Sequence, residues 1–305
     1  MKHPFRLDKS VNEKISLDST YDVQLYLKRE DQIHAHISGN KFRKLKYNIE
    51  EARKQDVGTL LTFGGAFSNH IAALAAIGKE MGFKTIGIIR GEELESRIHD
   101  NATLSFAKEC GMELHFVRRE AYRDKSSEEF LSQLDQDYGQ CFVIPEGGTN
   151  ELAIKGCEEI LTAEDTDFDY ICCSVGTGGT ISGLINSCNQ DQIVLGFPAL
   201  KGDFLQEDIR KFAKQDNWEL ISDYHFGGYA KINEDLVTFI NQFKQTNGMQ
   251  LDPIYTGKMM FGILDLIKKG FFPKGSRILA IHTGGIQGIS GMNRLLQKKQ
   301  LPLIE

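Results

Sequence analysis

No apolar run in this 305-residue sequence is long enough to span a bilayer. The most apolar, IAALAAI at 71–77, falls well short. The N-terminus MKHPFRLDKS carries no apolar stretch of the kind a secretory signal needs. A soluble cytoplasmic protein with no membrane partner is expected. Strong positive charge is also missing. The formal net charge of -6 argues against a nucleic-acid partner, in spite of the local basic run KFRKLK at 41–46. The six cysteines (Cys110, Cys141, Cys157, Cys172, Cys173, Cys188) include no CxxC pair and no histidine at zinc-finger spacing, so no metal site is expected. Cys172 and Cys173, adjacent in an apolar run, would point to opposite faces of a strand as small buried hydrophobes. His34 and His36 have no acidic or thiol partner at ligand spacing and read as loop residues.

What is present is a repeated pattern: an apolar run, a glycine turn, then a helical period. The runs are VQLYLKRE (23–30), TLLTFGG (59–65), TIGIIRG (85–91), ELHFVR (113–118), CFVIPEGG (141–148), YICCSVGTGG (170–179), IVLGFPAL (193–200), LISDYHFGG (220–228) and RILAIHTGG (277–285). Helices are predicted over Asn69–Met81, near Ala102–Cys110 and near Glu151–Thr162. Short β-rich runs alternating with helices predict an α/β protein with parallel sheets covered on both faces. So many strands favour two doubly wound open-sheet domains over one. No low-complexity linker divides them, which points to lobes that are interleaved along the chain.

The chain is organised around HISGNKFRKLKYN, 36–48. Ser38, Gly39 and Asn40 read as a turn capping a helix that begins near Lys41. Phe42, Leu45 and Ile49 fall on an apolar stripe, and Arg43, Lys46 and Glu50 on the wetter face, with Lys46 and Glu50 spaced as an i,i+4 pair. Lys41 lies in the first turn, at the edge of the stripe. The helix dipole and partial burial would both lower its pKa, as an amine nucleophile needs. The plainer alternative is a solvated basic face.

Several runs end in a double glycine at the strand edge where open α/β sheets bind ligands. In SVGTGGTISG (174–183), Gly176, Gly178 and Gly179 would let amides curl toward an anion, while Thr177 and Thr180 add hydroxyls. The loop lacks the GKS or GKT of a nucleotide P-loop and the GxGxxG of a dinucleotide site; a tight strand–helix turn is the plain alternative. In GGAFSNH (64–70), Ser68 or Asn69 is the N-cap; the loop could hold a carboxylate and Asn69 a phenolic oxygen, although capping alone explains both. His70 reads as a packed first-turn histidine. Tyr229 in HFGGYA, Tyr255 and Thr256 in DPIYTGK, and Thr283 in IHTGG are each unremarkable in isolation.

Taken in order, SGNKFRKLKY, GGAFSNH, the GTGGT loop, GGY, DPIYTGK and IHTGG resemble the fold-type II pyridoxal-phosphate enzymes. More narrowly they resemble the branch containing 1-aminocyclopropane-1-carboxylate deaminase and D-cysteine desulfhydrase, from about Leu25 to Asn293. The resemblance implies a tryptophan synthase β-like fold, with a large domain from 1–45 and 151–305, a small inserted domain at 46–150, and pyridoxal 5'-phosphate in the cleft between them. It implies Lys41 as the Schiff-base lysine, Asn69 at the pyridine O3′, and the 176–180 loop on the phosphate. Ser68 would face the substrate carboxylate, Tyr229 and Tyr255 the reacting carbons, and Thr256 and Thr283 the pyridine nitrogen. A homodimer acting on a small amino acid is implied as well. Two positions depart from the pattern: Phe67 stands where the family commonly has glutamine, and Thr256 where the cyclopropane deaminases carry glutamate. Without that acid the ring is a weaker electron sink. The reaction expected is therefore β-elimination from D-cysteine or a relative, giving pyruvate, sulfide and ammonia. Deamination of the cyclopropane amino acid to 2-oxobutanoate is the runner-up. A non-catalytic nucleotide-binding or regulatory protein is the alternative of another class.

Overall fold

β-branched and aliphatic runs too short for helices give ten strands, and the amphipathic stretches between them give ten α-helices, among the residues that the computed structural model describes (5–37, 39–202 and 204–305). In chain order these are β1 (Asn12–Lys14), β2 (Gln24–Lys28), α1 (Asn40–Lys54), β3 (Thr59–Gly64), α2 (Asn69–Met81), β4 (Lys84–Arg90), α3 (Ala102–Glu109), β5 (Glu113–Val117), α4 (Glu128–Tyr138) and β6 (Phe142–Ile144). There follow α5 (Glu151–Cys157), β7 (Tyr170–Val175), α6 (Gly179–Ser187), β8 (Ile193–Pro198), α7 (Phe204–Arg210), β9 (Trp218–Leu220), α8 (Glu234–Asn247), α9 (Thr256–Lys268), β10 (Arg277–Ile281) and α10 (Ile289–Lys298). No helix is long and apolar enough to cross a membrane among the described residues. Ser38, read as part of the turn before α1, lies outside them.

The strands form two sheets. One has the order β1-β2-β10-β7-β8-β9, parallel except for the antiparallel edge strand β1; the other is all parallel, in the order β5-β4-β3-β6. Both are covered on both faces, as near-continuous apolar strands require. In the larger sheet, Leu27, Cys172 and Ala280 pack with Ile240, Met260 and Ile263 of α8 and α9. Cys173, Val175 and Ile281 pack on the other face with Ile181 and Leu184 of α6. The adjacent cysteines therefore do point to opposite faces. In the smaller sheet, Leu60 and Ile89 meet Ile71 and Leu74 of α2 and Leu45 of α1, while Leu61, Phe63 and Ile88 meet Leu134 of α4.

Three local expectations differ from the structure. The run at 220–228 is a strand only at its start; a 3-10 turn over Ser222–Tyr224 and two glycines with positive φ break it. The helix expected near 151–162 ends at Cys157, because Thr162 is committed to a capping box over Ala163–Asp165. Arg43 is not on a wet face. It is buried, donates to Glu30 at 2.9 and 2.8 Å, and lies 3.7 Å from Glu159. Lys46 also pairs with Glu159, at 2.8 Å, rather than with Glu50. The helix faces other protein on nearly every side, so helical periodicity could not identify a solvent side.

Glu30 and Arg43 are each other's chief compensation for burial, and removing one leaves the other uncompensated. Arg43→Met is expected to destabilise the fold by about 3–5 kcal/mol, read as a lowered denaturation midpoint. A midpoint within experimental error of the parent would contradict this account.

Candidate active site

The loops after β3, β7 and β10 leave the C-terminal edges of the two sheets and converge on the start of α1. Between them lies a cavity of about 690 Å³, within the range of small-molecule sites. Lys41, Ser68, Asn69, Gly176, Thr177, Gly178, Thr180, Tyr229, Tyr255 and Thr283 all line it. Gly179 and Thr256, expected at the cofactor, do not. Gly179 is the first residue of α6 and backs onto Thr149 and Lys44, while Thr256 is buried and its hydroxyl donates to Asp252 at 2.7 Å.

The seat of Lys41 depends on a glycine. Gly39 has φ +58°, and a Cβ there would lie 2.1 Å from the Thr283 carbonyl oxygen. Only glycine lets the start of α1 approach the loop after β10 this closely. Lys41 Nζ donates to Asn40 Oδ1 at 2.9 Å, and Asn40 Nδ2 donates to Thr180 Oγ1 at 2.8 Å, tying the first turns of α1 and α6 together. Burial, and then the ammonium of Lys44, bring the Lys41 amine down to about 7. The neighbouring cation is a contribution that the sequence reading did not contain.

Lys44 is the principal residue that reading missed. It was grouped with the basic face, yet it is buried, and Nζ donates to the Gly147 carbonyl (2.9 Å), Thr149 Oγ1 (3.0 Å) and Thr177 Oγ1 (3.3 Å). Burial lowers its pKa as well. Its position three residues after Lys41, on the same helical face, was the available signal. Beside it, Gly178 caps α6 with φ +81°, and the first amides of α6 are the free donors that every helix start leaves.

Across the cleft, Ser68 is the N-cap of α2 and accepts from the Ile71 amide at 3.3 Å. Asn69 Oδ1 accepts from Gln287 Nε2 at 3.2 Å, which leaves its Nδ2 to donate. His70 is packed, as expected, but it also lines the cleft. Thr62 Oγ1 donates to the Ile144 carbonyl at 2.8 Å and so accepts from His70 Nε2 at 2.9 Å, leaving Nδ1 as a buried nitrogen without a partner among the described residues. Burial and the two lysines hold this imidazole neutral. The Tyr229 and Tyr255 rings stand 6.3 Å apart, and burial raises both phenols, that of Tyr255 well above its ordinary value. Thr283 Oγ1 lies 3.3 Å from Ser174 Oγ. Asp252, fully buried, accepts through both oxygens from the amides of Ile254, Tyr255 and Thr256 and from the Thr256 hydroxyl.

Two doubly wound sheets, with a lysine amine near neutrality facing a helix N-terminus across their carboxyl edges, define a cofactor-dependent enzyme that reacts through an amine. The family model of pyridoxal-phosphate dependent enzymes matches residues 13–284, and the chain belongs to that family. It is a pyridoxal-phosphate-dependent lyase. A putative 1-aminocyclopropane-1-carboxylate deaminase of Pyrococcus horikoshii is 30% identical over 284 residues, covering 87% of this chain and 86% of its own. The mitochondrial bifunctional D-cysteine desulfhydrase/1-aminocyclopropane-1-carboxylate deaminase of Arabidopsis thaliana is 30% identical, covering 88% of this chain and 73% of its own. Among solved structures, an ACC deaminase homologue superposes with a TM-score of 0.82 at 28% identity, covering 95% and 93% of the two chains.

The residues fit pyridoxal 5'-phosphate. The Gly178 turn, the α6 amides, Thr177 and Thr180 are donors suited to a phosphate, and Lys44, whose three N–H groups are already engaged, adds positive charge beside them. Gly176 lets the Tyr255 ring pack close against this loop, since that ring is only 3.2 Å from where a Cβ would sit.

Two outcomes follow. In the cofactor-free protein, Lys41 should react with an amine-directed label with a midpoint near pH 7, while exposed lysines respond only well above it. Lys44→Met should move that midpoint upward, and mass mapping of the labelled peptide reads both effects. Gly178→Val, which forces a branched residue to positive φ, should weaken cofactor binding far more than Thr177→Ala, which leaves the amides in place. Equal affinities by spectroscopic titration would contradict the amide-based site.

Proposed function

We propose that the enzyme performs β-elimination on a small amino acid with a readily departing β group, D-cysteine or a close relative, giving pyruvate, sulfide and ammonia. The observation that carries this reading is the neutral far wall of the cleft. Ser174 and Thr283 present hydroxyls there, and Asp252, which does not line the cleft, has both oxygens committed to its own turn. Pyridoxal phosphate supplies an electron sink conjugated to the substrate nitrogen, and a sink not reinforced by an acid suits a reaction whose leaving group departs promptly.

Around that chemistry each residue has a task. Lys41, its amine near neutrality, anchors the cofactor and removes the Cα proton. The raised phenols of Tyr229 and Tyr255 stay protonated, which makes them donors and positioners rather than bases. Ser68 and the amides at the start of α2 orient the substrate carboxylate, with Phe67 closing the loop where an amide side chain is common. The Cβ–S bond breaks with its electron pair on sulfur, which leaves as sulfide; hydrolysis of the remaining enamine yields pyruvate and ammonia.

The same reading divides the chain into a large domain from 1–45 and 151–305 and a small one at 46–150. The partition of strands between the two sheets supports it. A cytoplasmic homodimer rests on the family resemblance alone. Ring opening of 1-aminocyclopropane-1-carboxylate is the second reading, favoured by the names of the sequence relatives.

Side-by-side keto-acid assays on D-cysteine and the cyclopropane amino acid should show pyruvate release much the faster. Faster release of 2-oxobutanoate would overturn the assignment.

A further inference from the structure

Lys258 is a buried cation that the chemistry above does not use. It lies in the first turn of α9, 2% exposed, and Nζ donates to the carbonyls of His225 at 2.9 Å and Gly228 at 2.8 Å. No carboxylate forms an ion pair with it among the described residues. Asp252 attracts it from a distance, but the oxygens of Asp252 are already taken by four donors. Burial pulls the amine down to about 8. A charge kept in so dry a place, where a well-packed apolar residue would cost less, calls for a use.

The loop it grips is strained. Phe226, Gly227, Gly228 and Ala230 have φ of +53°, +91°, +115° and +55°. Two of these are not glycine, and such a run persists only when its surroundings impose it. Among the described residues the loop's own links are short-range: Gly227 N to His225 Nδ1 at 2.8 Å, Gly228 N to the His225 carbonyl at 3.0 Å and Lys231 N to the Gly228 carbonyl at 3.2 Å. Between Gly228 and Ala230 stands Tyr229, whose hydroxyl donates to the Phe67 carbonyl at 3.5 Å at the edge of the substrate loop. Tyr255 precedes Lys258 by three residues, so one helical turn carries both the second phenol and the ammonium that grips the first phenol's loop.

We propose that Lys258 is a positioning residue: its ammonium clamps the 225–230 loop in its left-handed conformation and thereby holds the Tyr229 phenol in the cleft. The effect on turnover rests on the reading that Tyr229 faces the reacting carbons; the effect on the loop does not.

The test uses the holoenzyme and two independent readouts. Lys258→Met should raise hydrogen exchange at the loop amides of Gly227, Gly228 and Lys231 by about tenfold or more, with the rest of α9 still protected. It should lower kcat by about tenfold while KM changes less than about threefold, and Lys258→Arg, which keeps the donors, should recover part of the loss. In a Tyr229→Phe background the same substitution should change kcat less than about twofold, because the residue on which it acts is already gone. Unchanged loop exchange overturns the clamp. An equal loss of kcat in both backgrounds overturns its action through Tyr229. If Lys258→Met does not fold, Lys258→Gln, with a shorter donor, is measured in the same way. If Tyr229→Phe alone turns over like the parent, the role assigned to Tyr229 falls, and the exchange data still decide whether Lys258 clamps.

Discussion

Two lysine amines are held one helical turn apart in the same cleft, and much of the structure serves to make that tolerable. Lys41 and Lys44 sit in the first turns of α1, and each is deprived of water. Lys44 finds three oxygen acceptors, whereas Lys41 has the Asn40 amide oxygen. The better-satisfied amine keeps its charge more readily and pushes the other toward neutrality. A pair of identical side chains is thus set apart, in the proposed reading as an anion-binding cation and a nucleophile, through burial and hydrogen bonding rather than sequence.

The surrounding architecture follows from that division. Lys44 reaches the segment at 147–149, which follows the smaller sheet, and Thr177 after β7 of the larger one, so one ammonium spans both sheets. Asn40 joins α1 to α6 through Thr180. Gly39 lets the same turn press against Thr283. In the proposed reading, pyridoxal phosphate would be held by groups whose position depends on the first turn of α1. On the outer side, the Glu30–Arg43 pair and Glu159 fix the same helix from behind.

The far side of the cleft is built on a different economy of polar groups. Asp252 caps its own turn so completely that it offers nothing to a ligand, which leaves Thr283 and Ser174 as the polar surface there. Lys258, one turn into α9, donates to the loop that presents Tyr229. Asp252 and Lys258 are thus both used structurally, and the Ser174 and Thr283 hydroxyls and the two phenols line this side of the cleft.

How much of this was legible beforehand depended on the range of the interactions. The alternation of apolar runs and glycine turns fixed the α/β class, because strand length and side-chain period are local properties. The bounds of α2 were read to the residue, since Ser68, its N-cap, and Gly82, its left-handed C-cap, are local start and stop signals. The residues that line the cleft were found because glycine turns at strand ends have few other uses, and because together they resemble a known family. What the chain could not show was which side of α1 is wet. Helical periodicity sorts residues into faces, but only the packing of α5 and the second sheet buried Arg43 and Lys44. Thr256 was misplaced for a similar reason: its neighbour in sequence, Tyr255, points into the cleft, while one helical position on the hydroxyl turns back to Asp252. The sequence by itself determined the class of fold, and its glycine turns and the lysine of the 36–48 stretch pointed to the residues that meet in the cleft. Tertiary structure decided which of two lysines titrates near neutral pH and which acid is silent, because desolvation and hydrogen-bond satisfaction depend on segments far apart in the chain.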